Sequence, residues 1–336
     1  MKKVFIDGRD AGSEKDPYII AEAGINHCGS LKKALAMAAA ARSSGADAVK
    51  YQFYETGSFL SSKLTDRKIY GIFKKCELTR EEKRSLLKGC QKAGISAVVT
   101  PLDLPDLELA VSFGASALKI ASPDITFFPL LEAASGSGLP VILSTGASGA
   151  GDIEKALEAL KKRGNPPVIL LHCVPRYPAP LLELNLGAIG FLEKRFKLPS
   201  GFSDHAAGNS SMLLAFMAGA KCIEKHFMLD GDLDVPDRAV SITAAAFADA
   251  VGIIKNWKKI MGTSGLPLRS YFKEFNRVSR RSAFSSKKLP AGSVIGPEDV
   301  LYMRPGPGIA PGKPIIGKKL LKALDKGELI SYNILE

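Results

Sequence analysis

The sequence predicts an α/β protein: a (β/α)8 TIM barrel followed by a small β-rich domain. Eight short apolar runs alternate with eight helical patterns between residues 18 and 261. Several helical patterns end in glycine just before the next apolar run, as in GADAVK and GISAVV, where a helix C-cap requires it. The runs are nearly continuous in Val, Ile and Leu, which is typical of parallel strands buried on both faces.

The predicted elements follow one another as strand and helix in turn. The strand-like runs lie at 18–24, 48–54, 96–103, 117–122, 140–146, 167–174, 201–206 and 221–229. The helical patterns lie at 30–44, 80–93, 105–113, 127–137, 150–163, 184–195, 209–218 and 243–261. The seventh run, GFSDHA, is the weakest. With only seven strands the chain would instead form a doubly wound open sheet.

The pattern changes after Trp257. Residues 262–282 are irregular and rich in charge, and short strands with Gly and Pro turns follow, as in RPGPGIAPGKPIIGKKL. We therefore expect a barrel domain over 1–262, a linker over 263–282 and a small β-rich domain over 283–336. A domain of about 55 residues depends for its stability on what it packs against.

The composition is that of a large globular protein, with 46% hydrophobic and 24% charged residues in a chain of 336. The five cysteines are odd in number and never spaced CxxC, which argues against a disulfide framework and fits a reducing compartment. No apolar run reaches the roughly 18 residues that a spanning helix needs, and the N-terminus becomes charged before a signal peptide could form. We expect a cytoplasmic protein with no membrane segment.

The formal net charge of +12 would suit nucleic acid, an acidic surface or an anionic substrate. Lys and Arg are spread along the chain, however, and adjacent pairs such as Arg280–Arg281 are scattered. We therefore expect no nucleic-acid partner.

Polar side chains recur where the predicted strands end, and this is the end of a TIM barrel that carries the active site. All four histidines lie at such ends: His27, His172, His205 and His226. Because alternate residues of a strand share a face, Ser203 points with His205, and Glu224 points with His226. The last two strands are neighbours about 4.8 Å apart, so His205 and His226 could share a divalent metal. Alternatively, both are core histidines bonded to the backbone.

Two cations and four hydroxyls gather at the same strand ends: Lys50, Lys119, Thr100, Ser122, Ser144 and Ser203. Such a set suits a small phosphorylated or carboxylated ligand. Each member alone could be a surface lysine or an ordinary turn hydroxyl. Their recurrence on strand after strand favours a binding site, since burying polar groups without a purpose is costly.

The chain resembles the sialic acid synthase family from about residue 17 to its end. The motifs that carry the resemblance are AEAGINHCG (21–29), KYQF (50–53), TPLD (100–103), KIAS (119–122), LSTG (143–146), GFSDH (201–205), IEKHFMLD (223–230), RRSAF (280–284) and RPGPGI (304–309). The resemblance implies condensation of phosphoenolpyruvate with an N-acylated amino sugar, giving a nine-carbon 2-keto-3-deoxy acid and phosphate. It also implies an antifreeze-like C-terminal domain (a SAF domain) that covers the active site of the partner subunit in a domain-swapped homodimer.

The resemblance further implies a role for each site residue. His205 and His226 would bind the metal, Mn²⁺ or Mg²⁺, which polarises the sugar aldehyde. The phosphoenolpyruvate-binding set would be Lys50, Thr100, Lys119, Ser122, Ser144 and Ser203. The sugar contacts would be Gln52, Tyr177, Glu224 and Asp237, with Phe284 and Arg304 supplied by the partner subunit.

The implied catalytic residues are Glu22, Lys119, Asp124 and Glu224. Glu22 matches an acidic residue near the reacting atoms. A carboxylate must also steer the water that adds to the substrate. The family position for this carboxylate often holds Glu, whereas this chain has Asp124, which is one methylene shorter.

Three departures from the family pattern bear on the acceptor. Cys28 replaces an amide, Pro175 stands where some members have Asn, and Val235 stands where Gly usually precedes Pro-Asp. We expect Arg176 to supply charge in place of the amide lost at Pro175. N-acetylmannosamine as acceptor would make the protein an N-acetylneuraminate synthase. A diacetamido-trideoxyhexose would make it a legionaminate or pseudaminate synthase, and some relatives are assigned to spore-coat polysaccharide.

Two other functions compete with this interpretation. One is a related barrel enzyme that condenses phosphoenolpyruvate with a phosphorylated aldose, which these motifs and the tail fit poorly. The other is a non-catalytic sugar-binding protein that keeps the fold. The presence of the pair His205 and His226 beside both lysines argues against it. A protein that only binds sugar needs no metal site together with a phosphoenolpyruvate site.

Overall fold

Residues 3–13, 16–266 and 270–336 are described in a computed structural model. The chain divides into two compact units, Met1–Met261 and Gly262–Glu336. In the described residues the strands are β1 (Phe5–Ile6), β2 (Arg9–Asp10), β3 (Tyr18–Gly24), β4 (Ala48–Phe53), β5 (Ser96–Pro101), β6 (Ala117–Ile120), β7 (Val141–Ser144), β8 (Val168–Cys173), β9 (Ser200–Asp204), β10 (Cys222–Met228), β11 (Ile242–Thr243), β12 (Ser282–Ser285) and β13 (Val300–Met303). The helices are α1 (Leu31–Ser43), α2 (Thr56–Phe59), α3 (Arg67–Cys76), α4 (Arg80–Lys92), α5 (Leu104–Ser112), α6 (Phe128–Ser135), α7 (Ala150–Ala159), α8 (Gly187–Phe196), α9 (Ser210–Met217), α10 (Ala244–Met261) and α11 (Tyr271–Ser279).

The first unit is the predicted TIM barrel. Strands β3 to β10 pair in parallel in chain order, and β10 pairs with both β9 and β3, which closes the barrel. The weak seventh run is strand β9. Its sequence is poor in apolar residues for a physical reason: a Cβ at Gly201 would lie 1.9 Å from the Cys222 carbonyl oxygen, so this close approach of β9 and β10 requires glycine.

Local capping fixes where the barrel helices begin. The Ser30 side chain accepts a hydrogen bond from the Lys33 amide at the start of α1. Thr79 and Glu82 form a capping box at the start of α4. The main core lies between the strands and this helical layer, where Met37, Leu86 and other side chains are fully buried.

An N-terminal hairpin closes the barrel at the end opposite the strand C-termini. Strands β1 and β2 pair antiparallel, and Val4, Ile6 and Ala11 pack against apolar side chains inside the barrel, such as Ile20 and Val98. This hairpin could not be predicted from the sequence, because two-residue strands are too short to show an alternation of apolar and polar residues.

Two helices lie in an interval for which no element was predicted. Helices α2 and α3 form between β4 and α4, and Asp66 caps α3 by accepting from the Lys68 and Ile69 amides. Helix α2 is a single turn, shorter than a periodic pattern can show. This β4–α4 interval contributes to the cavity described below.

The second unit has its own small core. Strands β12 and β13 pair antiparallel, and Ala283, Ile309, Ile315, Ile330 and neighbouring aliphatic side chains are buried together. Helix α11 lies in the interval that was expected to be an irregular linker, whose residues 267–269 fall outside the described residues. Its apolar stripe repeats at Tyr271, Phe275 and Val278, a helical spacing that the high charge of the segment masks. The predicted domain limits remain a prediction.

No helix in the described ranges is long and apolar enough to cross a membrane.

Candidate active site

A cavity of about 450 Å³ opens at the C-terminal ends of the barrel strands. Thirteen of the predicted site residues line it: Glu22, Lys50, Gln52, Thr100, Lys119, Ser122, Asp124, Ser144, Tyr177, Ser203, His205, Glu224 and His226. Asp237 lies beside the cavity, with its Oδ2 atom 3.5 Å from Nδ1 of His226. Phe284, on β12, and Arg304 belong to the second unit.

Parallel pairing explains why these side chains converge. Strand register places Glu22 beside Lys50 between β3 and β4, and Gln52 beside Thr100 between β4 and β5. Between β9 and β10, Glu224 lies beside Ser203. Side chains that were spread over two hundred residues therefore become cross-strand neighbours at one barrel mouth.

A buried charge network occupies the floor of the cavity. Lys50 Nζ lies 2.9 Å from Glu22 Oε2 and 3.6 Å from Glu224 Oε1, and it donates to Thr100 Oγ1 at 3.1 Å. Burial alone lowers the pKa of Lys50, but the two carboxylates outweigh burial and raise this pKa above its ordinary value. Lys50 is therefore a fixed cation.

The two carboxylates of this network differ in pKa. Burial raises the pKa of Glu22 despite the nearby Lys50. Burial also acts against ionisation of Glu224, but Lys119, Lys50 and the Ser203 hydroxyl, which donates to Glu224 at 2.9 Å, hold the pKa of Glu224 well below its usual range. Neighbouring groups with pKa values pushed apart are the usual signature of a proton donor beside a permanent anion.

Lys119 is a second buried cation, exposed over only 3% of its surface. Its ammonium donates to the Ile120 carbonyl at 3.1 Å, and no carboxylate in the described residues forms an ion pair with it. Burial lowers the pKa of Lys119, while Glu224 acts in the opposite direction. A buried ammonium with spare donors favours an anionic ligand in the cavity.

The cavity hydroxyls differ in whether they already form hydrogen bonds within the protein. Ser122 Oγ accepts from the Gly146 amide at 3.0 Å, and a Cβ at Gly146 would lie 2.7 Å from the same oxygen. Ser144 Oγ is buried without a hydrogen-bond partner in the described structure. An orphaned buried hydroxyl in a cavity marks a group that a bound ligand can satisfy.

His205 is held as a neutral imidazole in a defined tautomer. Its Nδ1 lies 3.0 Å from the Val174 carbonyl oxygen, which can only accept, so Nδ1 carries the proton. Its Nε2 accepts from the Tyr177 hydroxyl at 2.8 Å, and the Tyr177 ring stacks on the imidazole at 4.1 Å. Burial, with His226 nearby, lowers the pKa of His205 to about 3.

His226 completes a pair, since its ring centroid lies 5.5 Å from that of His205. Burial opposes protonation of His226, but Asp237 raises its pKa above the ordinary value. In both rings Nδ1 is directed at an oxygen of the protein, which leaves Nε2 as the ligand atom. This orientation is typical of metal-binding histidines.

The residues fit a divalent metal held partly by substrate. No group of three or more His, Cys, Asp or Glu side chains is arranged to hold an ion within residues 3–13, 16–266 and 270–336. Two imidazoles alone leave most positions to oxygen ligands. The buried Oε2 of Glu224 has no hydrogen-bond partner in the described structure, so this corner of the cavity is not satisfied by the protein alone.

Asp124 stands at the rim of the cavity, on the turn Ser122–Thr126 that follows β6. Burial raises the pKa of Asp124 to about 6, although Lys119 acts to lower it. A carboxylate with this pKa can accept a proton near neutral pH, as a general base must.

Some cavity residues were not anticipated from the sequence. Four apolar side chains line it, Phe59, Leu60, Phe73 and Leu102, three of them from the unpredicted α2–α3 interval. The sequence signal that could have found them is the spacing of Ile69 and Phe73 behind the Asp66 cap, which is that of one helix face.

Arg176 does not take the place expected for it. It forms an exposed ion pair with Glu183, and only its neighbour Pro175 lines the cavity. The expectation that Arg176 supplies charge to the site is wrong, because the backbone after β8 directs its side chain to Glu183.

The other two histidines have structural contacts. His172 Nε2 contacts the Leu184 carbonyl at 2.7 Å, and His27 Nδ1 accepts from the Gly29 amide at 3.2 Å. His27 thereby orients the loop after β3.

Of the two remaining departures, Cys28 is half-buried near Lys33, with Sγ to Nζ at 3.5 Å, and Val235 is buried. Neither lines the cavity.

Comparison with known proteins gives consistent matches along the chain. Residues 37–265 match a family model described as the NeuB family. An uncharacterized protein of Methanocaldococcus jannaschii is 37% identical, with 92% of this chain and 91% of the relative covered. The N,N'-diacetyllegionaminic acid synthase of Legionella pneumophila is 32% identical, with 97% of this chain and 96% of the relative covered. A crystal structure of N-acetylneuraminic acid (sialic acid) synthetase from Leptospira borgpetersenii superimposes with a TM-score of 0.72 at 36% identity, and the match covers 82% of this chain and 95% of that one.

Proposed function

The chain belongs to the NeuB family, the sialic acid synthase family that its motifs resemble, and we propose that it condenses phosphoenolpyruvate with an open-chain N-acylated amino sugar. The products are a nine-carbon 2-keto-3-deoxy acid and phosphate. The observation that carries the proposal is the juxtaposition, in one cavity, of two buried lysines, two carboxylates of divergent pKa and a histidine pair.

Phosphoenolpyruvate suits the floor of the cavity because it carries a phosphate and a carboxylate. Lys119 offers donors that no carboxylate of the described residues takes up in an ion pair, and Lys50 is held as a cation by its carboxylate neighbours. Ser144 brings an unsatisfied hydroxyl to the same place. Charge-assisted bonds of this kind contribute roughly 1.5–3 kcal/mol each.

The first bond to form joins C3 of phosphoenolpyruvate to the aldehyde carbon of the sugar. The aldehyde oxygen gains negative charge in this step and must take a proton. Glu22 is the donor, because burial raises its pKa. Glu224 stays ionised and stabilises the cation that develops at C2.

The second step adds water to C2 and expels phosphate. Asp124 steers this water and accepts its proton, since its pKa of about 6 leaves it largely ionised at neutral pH. The C2–O bond then breaks as the new C2 hydroxyl becomes the keto group, and the bridging oxygen leaves with the phosphate, which takes up the hydroxyl proton. Lys119 lies close enough to Asp124 to influence its pKa and receives the charge of the leaving group.

A divalent metal, Mn²⁺ or Mg²⁺, would be held by His205 and His226 and would supply Lewis-acid polarisation of the sugar aldehyde. The neutral state and fixed tautomer of His205 serve this role, because a protonated imidazole cannot bind a metal. Tyr177, whose hydroxyl contacts His205, would exchange that contact for the sugar.

Gln52 and Asp237 border the same region and are proposed sugar contacts. Gln52 Nε2 donates weakly to Glu22 Oε1 at 3.5 Å, and the Asp237 amide is held by Asn26 Oδ1 at 3.0 Å. Phe284 and Arg304 complete the site in this proposal through a domain-swapped homodimer, in which the antifreeze-like domain of one subunit covers the cavity of its partner.

The proposal is tested by phosphate release from phosphoenolpyruvate with Mn²⁺, measured with and without amino sugars. Release that requires both an N-acylated amino sugar and the metal is expected. A matched reaction with a phosphorylated aldose distinguishes the related barrel synthases. Release with the phosphorylated aldose alone would overturn the proposal.

A further inference from the structure

A fully buried ion pair lies behind the two cavity histidines. Lys225 Nζ lies 3.1 Å from Asp204 Oδ2, and both side chains are 0% exposed. Asp204 is the last residue of β9 and precedes His205, and Lys225 precedes His226 on β10. Because successive residues of a strand point to opposite faces, the two charges point away from the cavity that the histidines line.

The ion pair holds the backbone of the residue that follows His205. Asp204 Oδ1 accepts a hydrogen bond from the Ala206 amide at 2.8 Å, and Lys225 Nζ donates to the Ala206 carbonyl. The other carboxylate oxygen of Asp204 accepts from the Ser211 hydroxyl at 2.5 Å, which ties the pair to α9. Both polar groups of the Ala206 backbone are therefore bonded to the ion pair.

His205 lies just beyond the regular part of the sheet. The pairing of β9 with β10 ends where Asp204 lies opposite Lys225. Beyond that point the His205 carbonyl accepts from the Ala179 amide at 2.9 Å, and the ion pair binds the backbone at Ala206. The position of the His205 ring therefore depends on hydrogen bonds that the ion pair forms.

Stability alone does not account for this ion pair. Removing two charges from water is costly, and apolar residues of similar volume are often as stable or more stable in such a place. Ile223 and Phe227 share the outer face of β10 with Lys225, and both are apolar residues of the core between strands and helices. The ion pair supplies what an apolar pair would not, which is directed hydrogen bonds to one stretch of backbone.

We infer that Asp204 and Lys225 are positioning residues that set the separation and direction of His205 and His226. The inference rests on the proposed function, in which the two imidazoles hold the divalent metal, and deepens it by naming the groups that keep this site in shape. The pair joins β9 to β10 one residue before each ring, and the ring centroids lie 5.5 Å apart. Neither charged residue lines the cavity, so both act through the backbone.

Metal affinity is the readout that separates positioning from stability. Loss of the outer groups that orient metal ligands lowers metal affinity by about 10- to 100-fold. The double variant Asp204→Asn with Lys225→Met removes both charges at similar volume and leaves no buried charge unpaired. We expect its dissociation constant for Mn²⁺ to rise at least tenfold. The measurement is a Mn²⁺ titration of chelator-treated protein, followed by the electron paramagnetic resonance signal of free Mn²⁺.

Asp106→Asn is the matched control. Asp106 is a buried aspartate of α5 that pairs with Lys83 of α4 at 2.5 Å, so its substitution also breaks a buried ion pair. We expect this variant to lose stability in a urea titration and to keep the natural affinity for Mn²⁺.

The outcomes distinguish the inference from the proposed function. Weaker Mn²⁺ binding in the folded double variant, with natural binding in Asp106→Asn, supports the inference. Natural affinity in the double variant, or an equal loss in Asp106→Asn, overturns the inference and leaves the proposed function standing. A natural protein that binds no Mn²⁺ overturns the metal role of His205 and His226, and the inference with it. If the double variant does not fold, the single variant Asp204→Asn decides by the same measurement.

Discussion

The role of Asp124 predicts a specific pH profile. With a pKa of about 6, this carboxyl is about 90% ionised at pH 7, half ionised at pH 6 and about 10% ionised at pH 5. A base acts when it is ionised, so kcat/KM, which reports the pKa values of the free enzyme, should rise with pH through about 6. Between pH 7 and pH 5 it should fall by about tenfold, whereas an ordinary aspartate would lose only about a tenth of its ionised form.

The substitution Asp124→Asn removes the titrating group and keeps the size of the side chain. We expect kcat/KM to drop by at least about 100-fold, the lower range for a general base, and the acid limb near pH 6 to disappear. The assay is phosphate release between pH 4.5 and pH 8 at substrate concentrations well below KM. The comparison of the two profiles isolates the part due to Asp124.

The control is Asp249→Asn, because Asp249 is an exposed residue of α10. Its profile should match that of the natural protein. An acid limb near pH 6 that survives in Asp124→Asn, or a natural enzyme with constant kcat/KM from pH 5 to pH 7, would refute the reasoning.

Three further predictions concern other parts of the first unit. Lys119→Met should raise the KM for phosphoenolpyruvate by about 10- to 100-fold, the value of one charge-assisted bond, whereas Lys155→Met on the exposed face of α7 should not change it. Chelation should abolish turnover, and Mn²⁺ should restore it. His205→Ala or His226→Ala should remove turnover while the circular dichroism spectrum stays unchanged. Full activity in the presence of a chelator would contradict the metal site. Ile6→Ala in the N-terminal hairpin should lower the free energy of unfolding by about 2–4 kcal/mol, because Ile6 is 1% exposed. Phe5→Ala, at an exposed neighbour, should lower it far less. Equal urea midpoints for Ile6→Ala and the natural protein would contradict the closing role of the hairpin.

The barrel could be predicted because its regular elements follow local rules. Strands such as β3 and β4 are continuous apolar runs, and Ser30 and Thr79 are recognisable caps. Even β9, whose glycine and serine content weakens the pattern, follows from the need to complete a closed barrel. Membership of the NeuB family confirms the resemblance that the motifs had indicated.

The elements that escaped prediction are short or depend on tertiary contacts. Helix α2 is a single turn, and the hairpin of β1 and β2 is stabilised by the barrel interior, which no local pattern reveals. The apolar side chains Phe59, Leu60 and Phe73, which also line the cavity, therefore went unnoticed.

The polar part of the site was accessible because a TIM barrel converts sequence position into geometry. A polar residue at the C-terminal end of any barrel strand must point to one mouth, so Lys50, Lys119 and Glu224 could be placed together before their contacts were known. Side-chain direction after a strand is not fixed in this way. The assignment of charge to Arg176 is wrong for this reason, since its loop turns it to Glu183.

The central claim, condensation with cleavage of the C2–O bond, is tested most directly with phosphoenolpyruvate that carries an isotopic label in its bridging oxygen. Mass spectrometry of both products from a reaction with Mn²⁺ and an N-acylated amino sugar that supports phosphate release would follow the label. The account predicts a nine-carbon keto acid without the label and phosphate that retains it. Label in the keto acid, or phosphate formed at the same rate without the sugar, would contradict the account.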